Sequence, residues 1–128
     1  MSVLGLDVGT TGTKGVAFDL EGNIVASAYR EYDLISPKPG WQELDPERVW
    51  HCVREVLGEV AAASKSDPIQ AMAISAQGEA CHAVDKDGRC LTNSIVTFDG
   101  STAGMPAWWE ERIPKLELAN ITGMPLHG

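Results

Sequence analysis

The chain has 128 residues, 44% of them hydrophobic and 22% charged, the size and balance of one ordinary soluble globular domain. Its net charge of −8, with no cluster of Lys and Arg, excludes the basic footprint of a nucleic-acid-binding protein. No stretch approaches the roughly 20 apolar residues of a membrane span, and no basic segment followed by an apolar run marks a leader peptide.

Cys52, Cys81 and Cys90 are odd in number and lack CxxC spacing, so reduced thiols in the cytoplasm are expected rather than disulfides or a zinc site. His51, His82 and His127 likewise show no metal-ligand spacing. An acidic surface repels phosphate ligands at long range. Phosphate binding here must therefore come from local backbone N–H groups and one or two cations.

In chain order, Val3 to Val8 is a short apolar run that predicts a buried strand, ending in the turn Gly9-Thr10-Thr11-Gly12. Thr13 to Asp19 predicts a second strand and Ile24 to Tyr32 a third, with a tight turn at Glu21-Gly22-Asn23 between them. Short turns make these three an antiparallel meander. A loop through Pro37-Lys38-Pro39-Gly40-Trp41 follows. Trp41 could cap a ligand cleft or pin this loop to the core. Asp45-Pro46-Glu47 then supplies an N-cap and an N1 proline. Trp50, Val53, Val56, Leu57 and Val60 recur at helical spacing, so a helix to about Ala63 is predicted, with Trp50 in the core. Ile69 to Ser75 predicts a strand reached through that helix and so parallel to a neighbour. Ala80 to Val84 predicts a further strand, with a turn at Asp85-Lys86-Asp87-Gly88, and Ser94 to Phe98 another apolar stretch. Pro106 to Leu118 reads as a helix ended or kinked at Pro114, with one of Trp108 and Trp109 in the core. Thr122 to Gly128 is a turn-rich tail.

The chemical signal is strongest in Asp7-Val8-Gly9-Thr10-Thr11-Gly12-Thr13-Lys14. Gly9 and Gly12 allow positive torsions and close backbone approach to a ligand. Thr10, Thr11 and Thr13 offer hydroxyls to phosphate oxygens, and Lys14 a positive charge. Asp7 at the strand end suits Mg²⁺, held directly or through water, because that ion prefers oxygen ligands and keeps several waters. Taken alone, such a string equally fits a polar hairpin whose glycines serve geometry only. It matches neither the Walker A pattern nor GxGxxG.

This segment resembles the first phosphate motif of the actin-like ATPase superfamily, and it is most similar to the FGGY carbohydrate kinases. Pro39-Gly40-Trp41-Gln42-Glu43 with Asp45-Pro46 and Trp50 resembles that family's PGWxExDPxxxW segment. Ala73-Ile74-Ser75-Ala76-Gln77-Gly78-Glu79 resembles its GIS-x-GQ strand end, and Asp85 through Asp99 its DxxGxPLxxAIxWxDxR segment. Ile121 to Leu126 resembles a further family segment. The matches run in order along almost the whole chain.

The resemblance implies an α/β fold of the RNase H-like type, a mixed sheet with flanking helices, here truncated. It implies the N-terminal, sugar-binding part, residues 1–128, of an ATP- and Mg²⁺-dependent kinase of the xylulokinase or glycerol kinase kind. Gln77, Gly78, Glu79 and Asp99 would contact a sugar or polyol, whose hydroxyls a carboxylate such as Glu79 can accept. The general base, an Asp, and the nucleotide-binding C-terminal domain would lie outside the chain. Where the family has Trp-x-Asp-x-Arg, this chain has Thr97-Phe98-Asp99-Gly100-Ser101, so the substrate need not be glycerol or xylulose. The alternative is a truncated, non-catalytic module that binds a sugar or a partner. Either way, uncovered apolar surface and an open sheet edge predict a homo-oligomer.

Overall fold

A computed structural model describes residues 1–125. The expected tail beyond Pro125, with Leu126, His127 and Gly128, lies outside the described residues. The elements in chain order are β1 (Ser2–Val8), β2 (Gly12–Phe18), β3 (Ile24–Glu31), β4 (Glu43–Leu44), α1 (Pro46–Ala63), β5 (Ile69–Ala76), β6 (Ser94–Ile95), α2 (Met105–Glu110) and α3 (Lys115–Thr122).

The main sheet has the order β3-β2-β1-β5. The first three strands are antiparallel and β5 is parallel to β1, as the sequence predicts. Alternation decides what each face carries. Leu4 and Leu6 of β1, Ala17 of β2, and Ala26 and Ala28 of β3 point to one face and are buried under α1. The helix starts at Asp45, whose carboxylate accepts the N–H groups of Glu47 and Arg48, with Pro46 in the first turn. Val53, Val56 and Val60 form its apolar stripe and close the core. Gly15 lets the helix sit close: a Cβ there would meet Val56 Cγ1 at 2.7 Å. A second small cluster joins Tyr32, Leu44, Cys52 and Val96, and so ties the short β4–β6 pair to the start of α1.

Some expectations are corrected. Trp50 is 56% exposed, because the stripe that meets the sheet is Val53, Val56 and Val60, and Trp50 projects beside it. Ala80 to Val84 forms no strand. It makes single bridges, Cys81 to Ile95 and Val84 to Cys90, around the expected turn, where Asp85 Oδ1 accepts the N–H groups of Asp87 and Arg89. Of Ser94 to Phe98 only β6 pairs, since the chain turns so that the Asp99 N–H reaches the Val96 carbonyl at 3.0 Å. Pro114 does divide the predicted helix, giving α2 and α3. Neither Trp108 nor Trp109 is buried; the rings meet edge to face at 4.9 Å, and Arg112 lies 4.0 Å over Trp108. No helix of the described residues is long and apolar enough to cross a membrane.

Candidate functional site

The hairpin between β1 and β2 is organised by its carbonyls. The Gly9 N–H donates to the Gly12 carbonyl at 2.9 Å, the Tyr32 N–H to the Thr11 carbonyl at 3.2 Å, and the Tyr32 hydroxyl to the Gly9 carbonyl at 2.7 Å. The carbonyl of Val8 accepts the N–H of Gln77 at 3.0 Å. The N–H groups of Thr10 and Thr11 donate to no protein acceptor among the described residues. Carbonyls turned inward and amides left over are the hydrogen-bond pattern of an anion-binding loop. Gly12 admits no side chain, since a Cβ would meet the Tyr29 hydroxyl at 2.5 Å and the Arg30 carbonyl at 2.7 Å.

The expected phosphate residues separate into two groups. Gly9, Thr10, Thr11 and Gly12 form the hairpin, and Lys14 is exposed beyond it. Thr13 is fully buried, and its hydroxyl lies 3.3 Å from that of Tyr32, so its place is inside the hairpin's support. Asp7 is exposed on the sheet face opposite α1. It lies directly across from Lys14 on β2 and Ser75 on β5, and among the described residues it forms no ion pair. No cluster of three or more acidic, His or Cys side chains able to hold a metal occurs among the described residues. A single oxygen-donor carboxylate beside a hairpin with two spare amides nevertheless fits Mg²⁺, which takes one or two carboxylates and completes its shell with phosphate oxygens and water.

The Gln77-Gly78-Glu79 turn stands beside this hairpin because β1 and β5 are parallel and end together. Glu79 is exposed and has φ 61°, the one non-glycine residue with positive φ among the described residues. A non-glycine residue held there is strained, and such strain concentrates at functional sites. The Thr97 hydroxyl donates to the Gly78 carbonyl at 2.5 Å and fixes the turn. Gln77 Oε1 is buried without a hydrogen-bond partner. It borders an apolar cleft of about 300 Å³ between α1 and β5, lined also by Leu6, Trp50, Ile74 and His82. The ring of His82 bonds to the Ser94 hydroxyl at 2.9 Å.

Asp99 is occupied internally. Oδ1 accepts the Gln42 N–H at 2.6 Å, and Oδ2 accepts both the N–H and the hydroxyl of Ser101. Bonds from the Ser101 hydroxyl, then the Gln42 N–H, hold its carboxyl below the ordinary 3.8. The Gly100 N–H also reaches the Gly40 carbonyl at 2.8 Å, so Asp99 ties the Pro-Gly-Trp loop to the segment after β6. Phe98, which stands beside the position of the family's Trp, is exposed. Trp41 is half-buried under the Lys38 ammonium, 4.5 Å from the ring centroid. Sequence reasoning missed Tyr32, whose only signal was its position at the end of a strand.

The model of the FGGY family of carbohydrate kinases, N-terminal domain, matches residues 2–128. The chain belongs to the FGGY family of carbohydrate kinases. It is 41% identical over 105 residues to a glycerol kinase of Gloeobacter violaceus, covering 81% of this chain and 21% of that protein. Among solved structures, a gluconate kinase of Lactobacillus acidophilus superposes with TM-score 0.85 at 33% identity, covering 98% of this chain and 25% of that one. A Plasmodium falciparum glycerol kinase, solved with ADP, superposes with TM-score 0.88 at 25% identity, covering 97% of this chain and 26% of that one. This FGGY chain thus spans about a fifth of the length of the curated relative and about a quarter of the solved ones. Its mixed sheet is the RNase H-like sheet of those kinases.

Proposed function

We propose that this FGGY chain supplies the phosphate hairpin and part of the acceptor site of a longer ATP-dependent carbohydrate kinase, working in the cytoplasm. The hydrogen bond from the Gln77 N–H to the Val8 carbonyl carries the reading. It seats a loop with two spare amides next to a strained turn bearing a carboxylate, at the shared carboxyl end of two parallel strands. Open α/β sheets bind ligands at such ends.

In this reading the N–H groups of Thr10 and Thr11, their hydroxyls and Lys14 bind the transferred phosphate. Asp7 holds Mg²⁺ or its waters; bound with ATP, the ion offsets charge on the phosphoryl group. Glu79 accepts acceptor hydroxyls and orients the one that attacks. Thr13 and Asp99 hold the scaffold. The base that takes the hydroxyl proton and the adenosine pocket belong to parts outside these 128 residues, which makes residues 1–128 an incomplete first domain. The bare sheet face and the β5 edge make the chain on its own self-associate.

The test is a panel assay on a protein in which this chain is continued by the remaining length of its relatives. Acceptor-dependent release of ADP is expected with at least one of glycerol, xylulose and gluconate. Glu79→Ala should raise KM for that acceptor more than it lowers kcat. ADP release that no acceptor stimulates would refute the reading.

A further inference from the structure

One residue outside the hairpin holds two of its carbonyls. Tyr32 lies just after β3, the strand that pairs with β2, so it is outside the β1–β2 hairpin, yet it engages that loop with both of its donors. Its N–H takes the Thr11 carbonyl and its hydroxyl takes the Gly9 carbonyl. The ring is only 6% exposed and packs with Leu44, Cys52 and Val96. The hydroxyl of the fully buried Thr13 meets it from the other side. Burial raises the phenol above its ordinary 10.0, so the group stays a neutral donor across the working pH range.

A carbonyl that is not held can swing outward. In an anion site an outward carbonyl is doubly harmful: it repels the ligand, and the peptide flip takes away the N–H of the next residue. The peptide joining Gly9 to Thr10 is the case in point, because Thr10 contributes one of the two spare amides.

We propose that Tyr32 is a positioning residue for phosphate binding, its hydroxyl holding the Gly9 carbonyl inward so that the Thr10 N–H faces the ligand. This rests on the hairpin being the phosphate site. It explains why Thr13, although in the motif, is buried: its hydroxyl helps to seat that of Tyr32. The site therefore extends from the β1–β2 hairpin to the end of β3.

The experiment uses the isotope-labelled chain and inorganic pyrophosphate as the probe. In the wild type, amide shifts should concentrate at Thr10, Thr11 and Gly12 and saturate. Tyr32→Phe keeps the ring and the core filling, and it should weaken pyrophosphate roughly fivefold, the effect of one net hydrogen bond. Before any ligand is added, the Gly9 carbonyl carbon should also shift, reporting the lost donor. Val56→Ala serves as the control for general destabilisation, since it cuts the core under α1 without touching the loop; its pyrophosphate affinity should stay at the wild-type value. Unchanged affinity in Tyr32→Phe, or affinity falling with stability in both variants alike, would overturn the role of Tyr32. Absence of the wild-type shifts at the hairpin would instead overturn the phosphate site itself.

Discussion

The stretch up to the end of α1 and the stretch after it are built differently. In the first, three strands and one long helix bury a shared apolar face, from Leu4 to Val60. In the second, β5 follows β1 through seven paired positions, yet nearly all of its side chains are exposed on both faces. Downstream of it, only Ser94, Val96 and Asp99 are buried among the described residues, and α2 and α3 bury none. The first stretch is held by packing. The second is held by backbone pairing, by Val96 packed with Tyr32, Leu44 and Cys52, and by a few polar ties: Thr97 to Gly78, Ser94 to His82, and Asp99 to Gln42 and Ser101. The proposed site lies on the boundary, with its phosphate hairpin on the packed side and its acceptor turn on the tied side. The anion loop can thus stay rigid while the acceptor turn depends on what the rest of the protein lays over it.

Substitutions can sharpen or break this contrast. The largest loss should come from Gly15→Val. Its added methyls must displace Val56 and lift α1 from the sheet, costing about 3 kcal/mol in urea unfolding. Val56→Ala should cost about 2 kcal/mol, because it leaves a cavity in a closed core. Ile74→Ala on β5, where the side chain is 60% exposed, should cost less than about 0.5 kcal/mol in the chain alone. Equal losses at positions 56 and 74 would mean that the two stretches share one core after all.

Self-association should follow the bare side as well. Sedimentation of the chain should show dimers or larger species, and Ile74→Lys should reduce them by placing charge at the open edge strand. A clean monomer at high concentration would show that the bare face is inert.

The smallest effect concerns acid. The carboxyls of Asp19, Asp67 and Asp99 are all lowered from 3.8 by hydrogen bonds: from Asn23, from the N-terminal ammonium, and from Ser101, respectively. A lowered folded value contributes stability above 3.8 that is lost as pH falls through the folded values. Tm should therefore drop below about pH 4, and Asp99→Asn should make that drop shallower. An unchanged acid limb in Asp99→Asn would remove the proposed tie between the Gly40 loop and the Gly100 turn.

Much of the first stretch was legible because its determinants are local. Alternation in three strands, glycine at Gly22 and the Asp45-Pro46 cap each act within a few residues. Trp50 misled because helical spacing marks a stripe but not its edges, and Trp50 borders an open cleft between α1 and β5 instead of a packed face. The tied stretch was less legible. The bridges of Cys81 and Val84 depend on partners up to 14 residues away, and the bonds of Asp99 depend on Gln42, 57 residues away. At the site, the hairpin and the acceptor turn stood out by composition. That Thr13 faces inward and that Tyr32 holds the loop could emerge only once β3 was placed against β2.

The most direct test of the account is Asp7→Asn in the protein that continues this chain to the length of its relatives. The substitution keeps the shape and removes the charge that orients Mg²⁺ and its waters at the hairpin. With the acceptor saturating, turnover should fall on the order of a hundredfold or more, while acceptor KM stays nearly constant. Near-normal turnover in Asp7→Asn would show that the metal, and with it the transferred phosphate, sits elsewhere.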